Sequence, residues 1–154
     1  AHTMAKFSTG LRNGMLGSTG AKEALNGGRL RLFSVTAPAL APATADAPET
    51  GVLLMELTVA GDGVTGLTFG VPDEGVLGKT EAQVWMASSI LVSGAISYFR
   101  FVAPGDTGAA SATEARIQGS VGVVGTDMVL ASTAATAGQP WTLNYFNIAL
   151  PTLA

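Results

Sequence analysis

The sequence has no cysteine and only one histidine, and these two absences exclude most catalytic and metal-binding arrangements. Without cysteine the chain has no disulfide, no thiolate nucleophile and no cysteine-based metal site. The histidine, His2, lies in the stretch AHTM, which we interpret as a cloning remnant ahead of a native Met4. With residues 1–3 set aside, Ser-His-Asp catalysis, Cys-His catalysis and histidine-based zinc sites each lack a necessary residue.

Charged residues are also scarce, at 12% of the 154 residues, whereas apolar residues make up 47%. A soluble monomer usually carries about a quarter charged residues, so the low content indicates that a partner covers part of the surface. The length suits one domain with its own core. No secretory segment and no apolar run of about 18 residues is visible, so we expect a soluble protein without a membrane partner.

The few charges are unevenly placed along the chain. Up to residue 31 there are five basic residues and one acid, namely Lys6, Arg12, Lys22, Arg29, Arg31 and Glu23; three basic residues and ten acids follow. A basic arm on an acidic body is suited to docking on an acidic neighbour, or equally to a solvated arm that balances the body. The arm lacks the dense basic run with interleaved aromatics that nucleic-acid binding favours, so we expect no nucleic acid.

Helical signals are confined to residues 4–28. Ser8 or Thr9 can cap a first short helix that Gly17 ends, with Leu11 on its apolar face. The stretch NGG ends a second helix of one or two turns. We therefore predict an N-terminal arm with short helical turns that packs on or beside the body.

From Arg29 onward the apolar residues alternate with period two, which is typical of half-buried strands. We predict strands at RLRLFSV, VLLMELTV, GLTFGV, QVWMASSILV, ISYFRFV, RIQGSVGVV, DMVLAS and WTLNYFNIAL, with a weaker one near GVLGKT. The Pro/Ala-rich residues 36–51 cannot pair as a central strand. Many short strands with Gly, Asp and Pro turns predict an all-β antiparallel sandwich of jelly-roll type over residues 29–154.

Sequence motifs give no support for enzymatic chemistry or a cofactor. GDGVTG at residues 61–66 matches a dinucleotide pattern by letters, but a strand rather than a helix follows it, so we predict a turn. Asp73 and Glu74 are adjacent in a turn, which makes a paired-carboxylate hydrolase a weak third hypothesis. Asp62 and Asp106 lack the closely spaced oxygen ligands of a calcium site.

Two stretches place aromatic and charged side chains where a partner would meet them. In residues 98–124, alternation puts Phe99, Phe101, Ile117, Val121 and Val123 inward and Tyr98, Arg100, Glu114 and Arg116 outward, where the charges compensate one another across strands. Whether that outer face meets water or a neighbouring subunit stays open. In WTLNYFNIAL both faces are apolar: Phe146, Ile148 and Leu150 on one, Trp141, Leu143 and Tyr145 on the other. The second face packs under the arm or a loop, or against another subunit.

Several blocks of the sequence resemble a group of small tailed-bacteriophage virion structural proteins. The blocks are MAKFSTGLRNGML, GGRLRLFS, ADAPETGVLLMEL, FRFVAPGDTGAASATEARIQGSVG and LNYFNIALP, and the likeness runs from Met4 to the C-terminus. The stretch APALAPATADAP departs from the pattern. The resemblance implies a capsid decoration or cement protein, a class that binds the shell as dimers or trimers and often extends an arm over an adjacent subunit.

We therefore expect a non-enzymatic protein of the virion, assembled in the host cytoplasm, that stabilises the head shell. Its expected partners are the major capsid protein or another virion protein, and further copies of itself. The alternative is a tail-associated module that binds a receptor or glycan. The candidate interface residues are Phe7, Leu11, Arg12, Arg29, Arg31, Tyr98, Arg100, Arg116, Trp141 and Tyr145.

Overall fold

A computed structural model describes residues 5–150 of the chain. Two helices lie near the N-terminus, α1 (Thr9–Leu16) and α2 (Ala21–Leu25). The strands are β1 (Lys6–Phe7), β2 (Arg29–Ser34), β3 (Val52–Val59), β4 (Val76–Gly78), β5 (Trp85–Ala87), β6 (Gly94–Ala95), β7 (Tyr98–Val102), β8 (Arg116–Gly122), β9 (Met128–Val129), β10 (Ala134–Ala135), β11 (Trp141–Leu143) and β12 (Asn147–Ala149). The chain is therefore predominantly β, as the alternation predicts.

One large sheet dominates the fold, with the strand order β1-β8-β7-β2-β3-β5-β11. Its neighbours are antiparallel, and β9 joins the edge of β8 in parallel. Two small antiparallel sheets, β12-β4 and β10-β6, complete the strand pairing. The antiparallel, sandwich-like architecture is confirmed.

The core lies between the inner face of the large sheet and the β12-β4 pair. Its centre is Phe146, whose ring centroid lies 5.5–6.2 Å from those of Phe69, Trp85, Phe99 and Phe101. All five rings are buried, and such tilted and edge-to-face contacts stabilise beyond the area they bury. Phe146, between β11 and β12, therefore links the two layers.

The N-terminal arm is built into this core. Ser8 caps α1 by accepting a hydrogen bond from the Leu11 backbone N–H, and Gly17 ends the helix, as predicted. The Ser8 hydroxyl also accepts from the Arg116 N–H and donates to the Glu114 carbonyl. Because Leu11 is fully buried in the core and β1 pairs with β8, the arm completes one edge of the body.

Three strand predictions need correction. WTLNYFNIAL is broken at residues 144–146, so that β11 pairs with β5 in the large sheet and β12 pairs with β4 in the small one. The break resets the alternation, and Leu143 and Phe146 both face the core. GLTFGV forms only isolated bridges at Leu67 and Phe69. Val123, predicted to face inward, is exposed because β8 ends at Gly122.

Candidate functional site

A row of polar residues crosses five neighbouring strands on the outer face of the large sheet. Glu56, Arg31, Arg100, Gln118 and Lys6 are consecutive register partners on β3, β2, β7, β8 and β1. Side chains that are register partners lie on the same face of a sheet. The charged face predicted from the alternation therefore exists, and it extends further across the sheet than residues 98–124 alone indicate.

Residues 36–51, which we call the strap, lie over this row. Arg100 donates from Nη1 to the Ala47 carbonyl at 2.8 Å, and from Nε and Nη2 to Oε1 of Gln118 at 3.2 and 2.6 Å. The Gln118 amide in turn donates to the Pro42 carbonyl at 2.7 Å. The arginine is fully buried and, within the described residues, its hydrogen bonds go to neutral oxygens.

Tyr98 holds the end of the strap. Its hydroxyl donates to the Thr50 carbonyl at 2.6 Å and accepts from the Thr50 N–H at 3.0 Å. The ring stacks on Phe33 with a centroid distance of 4.7 Å. Burial raises the pKa of the tyrosine hydroxyl, so the phenol stays protonated and able to donate at neutral pH.

Arg116 and Asp106 form a buried ion pair beside the row. Nε and Nη2 of Arg116 donate to the two carboxylate oxygens at 2.6 and 2.8 Å. Nη1 donates to the Ala45 carbonyl of the strap at 3.1 Å, and Nη2 also donates to the Ala109 carbonyl at 2.6 Å. One guanidinium thus joins the strap, the loop before β8 and the sheet.

The electrostatics of this face match its geometry. Burial opposes the charged form of Asp106, but hydrogen bonds from Arg116 and from the Gly108 N–H outweigh it, and the pKa of Asp106 lies below its ordinary value. Burial, followed by the nearby charge of Arg116, lowers the pKa of Arg100. The buried surroundings of Arg100 thus disfavour its charged form.

Arg31 and Arg29 belong to a more accessible part of the same face. Glu56 accepts from Arg29 at 2.6 Å and from Arg31 at 2.8 Å, and Glu49 of the strap accepts from Arg31 at 3.0 Å. Burial raises the pKa of Glu56, but the two arginines more than compensate, so it lies below its ordinary value. The pair between Arg31 and Glu49 attaches the strap to β2, and the two pairs with Glu56 join β2 to β3.

The strap decides the question of what the charged face meets. Tyr98, Arg100 and Arg116 were expected on an open outer surface available to water or to a partner, and that expectation is wrong because residues of the same chain cover them. The predicted compensation by Glu114 is also wrong, since Arg116 pairs with Asp106 and Arg100 with Gln118. We call this covered face, where the strap contacts the sheet through Tyr98, Arg100 and Arg116, the internal joint.

The strap also contacts the arm. Asp46 accepts hydrogen bonds from the Thr9 N–H at 2.7 Å and from the Thr9 hydroxyl at 2.6 Å, at the first residue of α1. These bonds from Thr9 lower the pKa of the Asp46 carboxyl. Hydrogen bonds therefore hold the arm, the strap and the sheet together. The sequence indicates only that residues 36–51 cannot pair as a central strand, and sequence reasoning missed this arrangement.

The remaining candidate interface residues have different surroundings. Leu11 is buried in the core, so it is excluded as a surface contact. Phe7 and Trp141 are half-buried and pack against the core. Arg12 is exposed, and Tyr145 is 83% exposed, which rules out the expectation that it packs under the arm or a loop. Of the candidate interface residues, Phe7, Arg12 and Tyr145 line one open concavity.

That concavity is an apolar groove of about 820 Å³. It lies between the β1 and β9 edge of the large sheet and the segment that runs from β11 to β12. Its lining includes Phe7, Met128, Val129, Tyr145 and Leu150, of which the last three are more than half exposed. Three exposed apolar side chains at one groove make it a candidate binding surface.

The groove and the loops around it offer little for catalysis. Asp127 is the one acid among the described residues that line the groove. Asp73 and Glu74 lie on an exposed turn instead of in a cleft, and Asp62 accepts from the Val64 and Thr65 N–H groups within the predicted turn. Between residues 5 and 150 there is no cluster of three or more acids, histidines or cysteines suited to a metal ion.

Comparison of the chain with protein-family models, with curated proteins and with solved structures finds no match in any of the three. Within the described part of the chain, neither helix is long and apolar enough to cross a bilayer.

Proposed function

We propose that the chain is a non-enzymatic structural protein of a bacteriophage virion, a decoration or cement protein that stabilises the head shell. The sequence resemblance motivates this assignment. Decoration requires binding to protein surfaces and no chemistry, which suits a chain with so few candidate catalytic groups. Jelly-roll connectivity, common among such shell proteins, is part of the same proposal.

The observation that carries the proposal is the amount of apolar side chain on a lightly charged surface. Fourteen large apolar residues are exposed in the described part of the chain, several of them at 75% or more. They include Val123 and Val124 at the tip after β8, Leu91 and Val92 before β6, and Tyr145 at the groove. Isolated exposed apolar residues are ordinary, but contiguous ones indicate interfaces.

The internal joint supports the same proposal in a second way. A protein that braces a shell must keep its own shape under load, and the strap, arm and sheet are connected through buried hydrogen bonds from Arg100, Arg116 and Tyr98. Within the described residues no buried side-chain nitrogen or oxygen lacks a hydrogen-bond partner. Satisfied polar networks of this kind rigidify a fold.

Co-sedimentation with undecorated capsids tests the proposal. We expect the protein to pellet with the capsids and to saturate at a fixed ratio to the capsid subunit. The variant Val123→Asp/Val124→Asp, which puts charge at one apolar tip, and Leu91→Asp/Val92→Asp, which does so at another, locate the contact. Failure of the unmodified protein to bind capsids overturns the proposal.

A tail-associated glycan-binding module is the second candidate, and one observation favours it. Tyr145 presents an exposed aromatic ring at the border of a concave groove. An exposed aromatic ring is a surface on which a sugar ring can stack. Retention on host cell-wall polysaccharide, lost in Tyr145→Ala, would support this function. No retention, together with capsid binding, would exclude it.

A further inference from the structure

An acidic turn projects beside the apolar groove. Residues 71–76 are all exposed, and Leu150, which lines the groove, donates its N–H to the Gly75 carbonyl at 3.0 Å. The turn carries Asp73 and Glu74, neither of which forms an ion pair with a described residue, and Val71, which is 84% exposed. The turn thus combines two available carboxylates with apolar surface.

Two basic residues lie where the groove adjoins a second cleft. Arg12 lines both the groove and a smaller cleft of about 380 Å³ between arm and strap, and Lys6 lines that cleft. Neither Lys6 nor Arg12 forms an ion pair within the described part of the chain. Asp46 also lines the cleft, so the two basic residues and this one acid leave the cleft with a surplus of one positive charge.

We propose that a second copy of this chain occupies the groove. The acidic turn of each copy lies against Lys6 and Arg12 of the other, and the apolar stretch around Val129 and Tyr145 meets its own counterpart. A patch with an apolar centre, an acidic border and a basic border is self-complementary under a two-fold axis, which is the requirement for an isologous dimer. An apolar centre with a polar rim is also the usual anatomy of a protein interface.

This inference gives a specific surface to the self-association that the resemblance to decoration proteins implies, and it deepens the proposed function. It concerns the purified protein alone, so dimerisation and capsid binding are measured separately. If the protein forms a dimer but does not bind capsids, the proposed function is overturned and this inference is retained. If the protein binds capsids as a monomer, this inference is overturned and the proposed function is retained.

Charge exchange across the interface provides the first test, by analytical ultracentrifugation at low salt. We expect Lys6→Glu/Arg12→Glu, and separately Asp73→Lys/Glu74→Lys, to raise the dimer dissociation constant at least about tenfold, because like charges then face each other. The variant with all four substitutions restores opposite charges and should return to within about threefold of the unmodified protein. Thermal unfolding of each variant checks that it is folded.

The matched control is Glu23→Lys/Glu81→Lys, which changes the net charge by the same amount as Asp73→Lys/Glu74→Lys, at two exposed acids that line neither the groove nor the cleft. It should leave the dissociation constant unchanged. Equal weakening by the control would mean that net charge, and not the proposed pairing, controls association, and would overturn the inference.

Cross-linking gives a second test that does not depend on charge, because the chain has no native cysteine. Arg12→Cys and Asp73→Cys are made as separate proteins, mixed and oxidised. The inference predicts a disulfide-linked heterodimer in the mixture and little cross-linking of either protein alone. A protein that stays monomeric at all concentrations, with no mixed disulfide, would show that a second copy does not occupy the groove and would overturn the inference.

Discussion

Arg116 and Asp106 are joined through two parallel hydrogen bonds of 2.6 and 2.8 Å, and both side chains are 1% exposed. A two-bond contact of this kind fixes the relative orientation of two groups as well as their distance. The pair connects β8 to the loop that follows β7, while Arg116 reaches the strap through the Ala45 carbonyl. We therefore expect this ion pair to contribute strongly to the stability of the internal joint.

Breaking this pair should destabilise the protein strongly. Asp106→Ala leaves the Arg116 guanidinium buried without its counter-ion, for which we expect a loss of about 3–5 kcal/mol in the free energy of unfolding. Arg29→Ala is the matched control, because Arg29 pairs with Glu56 at a side chain that is 36% exposed and should cost about 1 kcal/mol or less. Urea unfolding measures both, and equal losses would contradict a central role for the buried pair.

Stability should fall with decreasing pH. Asp106 and Glu56 have folded-state pKa values below their ordinary ones. Each therefore adds stability that is present above the unfolded-state pKa, about 4, and is lost as the pH falls through the folded-state pKa. We expect the free energy of unfolding to decline below about pH 5, and Asp106→Asn to flatten that decline. An unchanged acid slope in Asp106→Asn would contradict the assignment.

Two glycines of α1 should respond in opposite directions to alanine. A Cβ on Gly10 would lie 2.3 Å from the Thr113 carbonyl oxygen, a backbone atom, so the helix must move away from the loop before β8. A Cβ on Gly14 meets only ordinary contacts, at 3.6 Å or more. We expect Gly10→Ala to destabilise the arm, and Gly14→Ala to stabilise the protein by about 0.5–1 kcal/mol through helix propensity.

Thermal unfolding, together with hydrogen exchange of residues 5–25, measures the effects of Gly10→Ala and Gly14→Ala. Increased exchange in Gly10→Ala alone would agree with close packing of the arm on the loop before β8. Destabilisation by both substitutions to the same extent would show that α1 does not pack as described.

Alternation predicts the longer strands, β2, β3, β7 and β8, and the separation of the two faces of the large sheet. Leu30, Leu32, Phe99 and Phe101 enter the core as their spacing requires, and the cap at Ser8 follows from local sequence chemistry. The strands β1, β6 and β10 were not predicted, because each has two residues and is too short to show an alternation. The local sequence pattern thus predicts a strand where the strand is long enough to show a period-two repeat.

The local sequence pattern could not predict that the strap covers the outer face of the sheet. The strap binds Arg100 and Arg116 mainly through backbone carbonyls, which every residue possesses and which leave no mark on the sequence. The exposure of Tyr145 depends on the break between β11 and β12, where the chain passes from one sheet to the other. Both features arise from tertiary packing, which period-two reasoning does not include.

The stability of capsids with and without the protein tests the central claim most directly. Undecorated capsids are saturated with the purified protein, and the temperature at which the shells open is followed by light scattering and electron microscopy. The account predicts that decorated shells open at a higher temperature, and that the gain disappears when the protein is omitted or replaced by an unrelated protein of equal size. Shells that bind no protein, or that open at the same temperature when saturated, would contradict it.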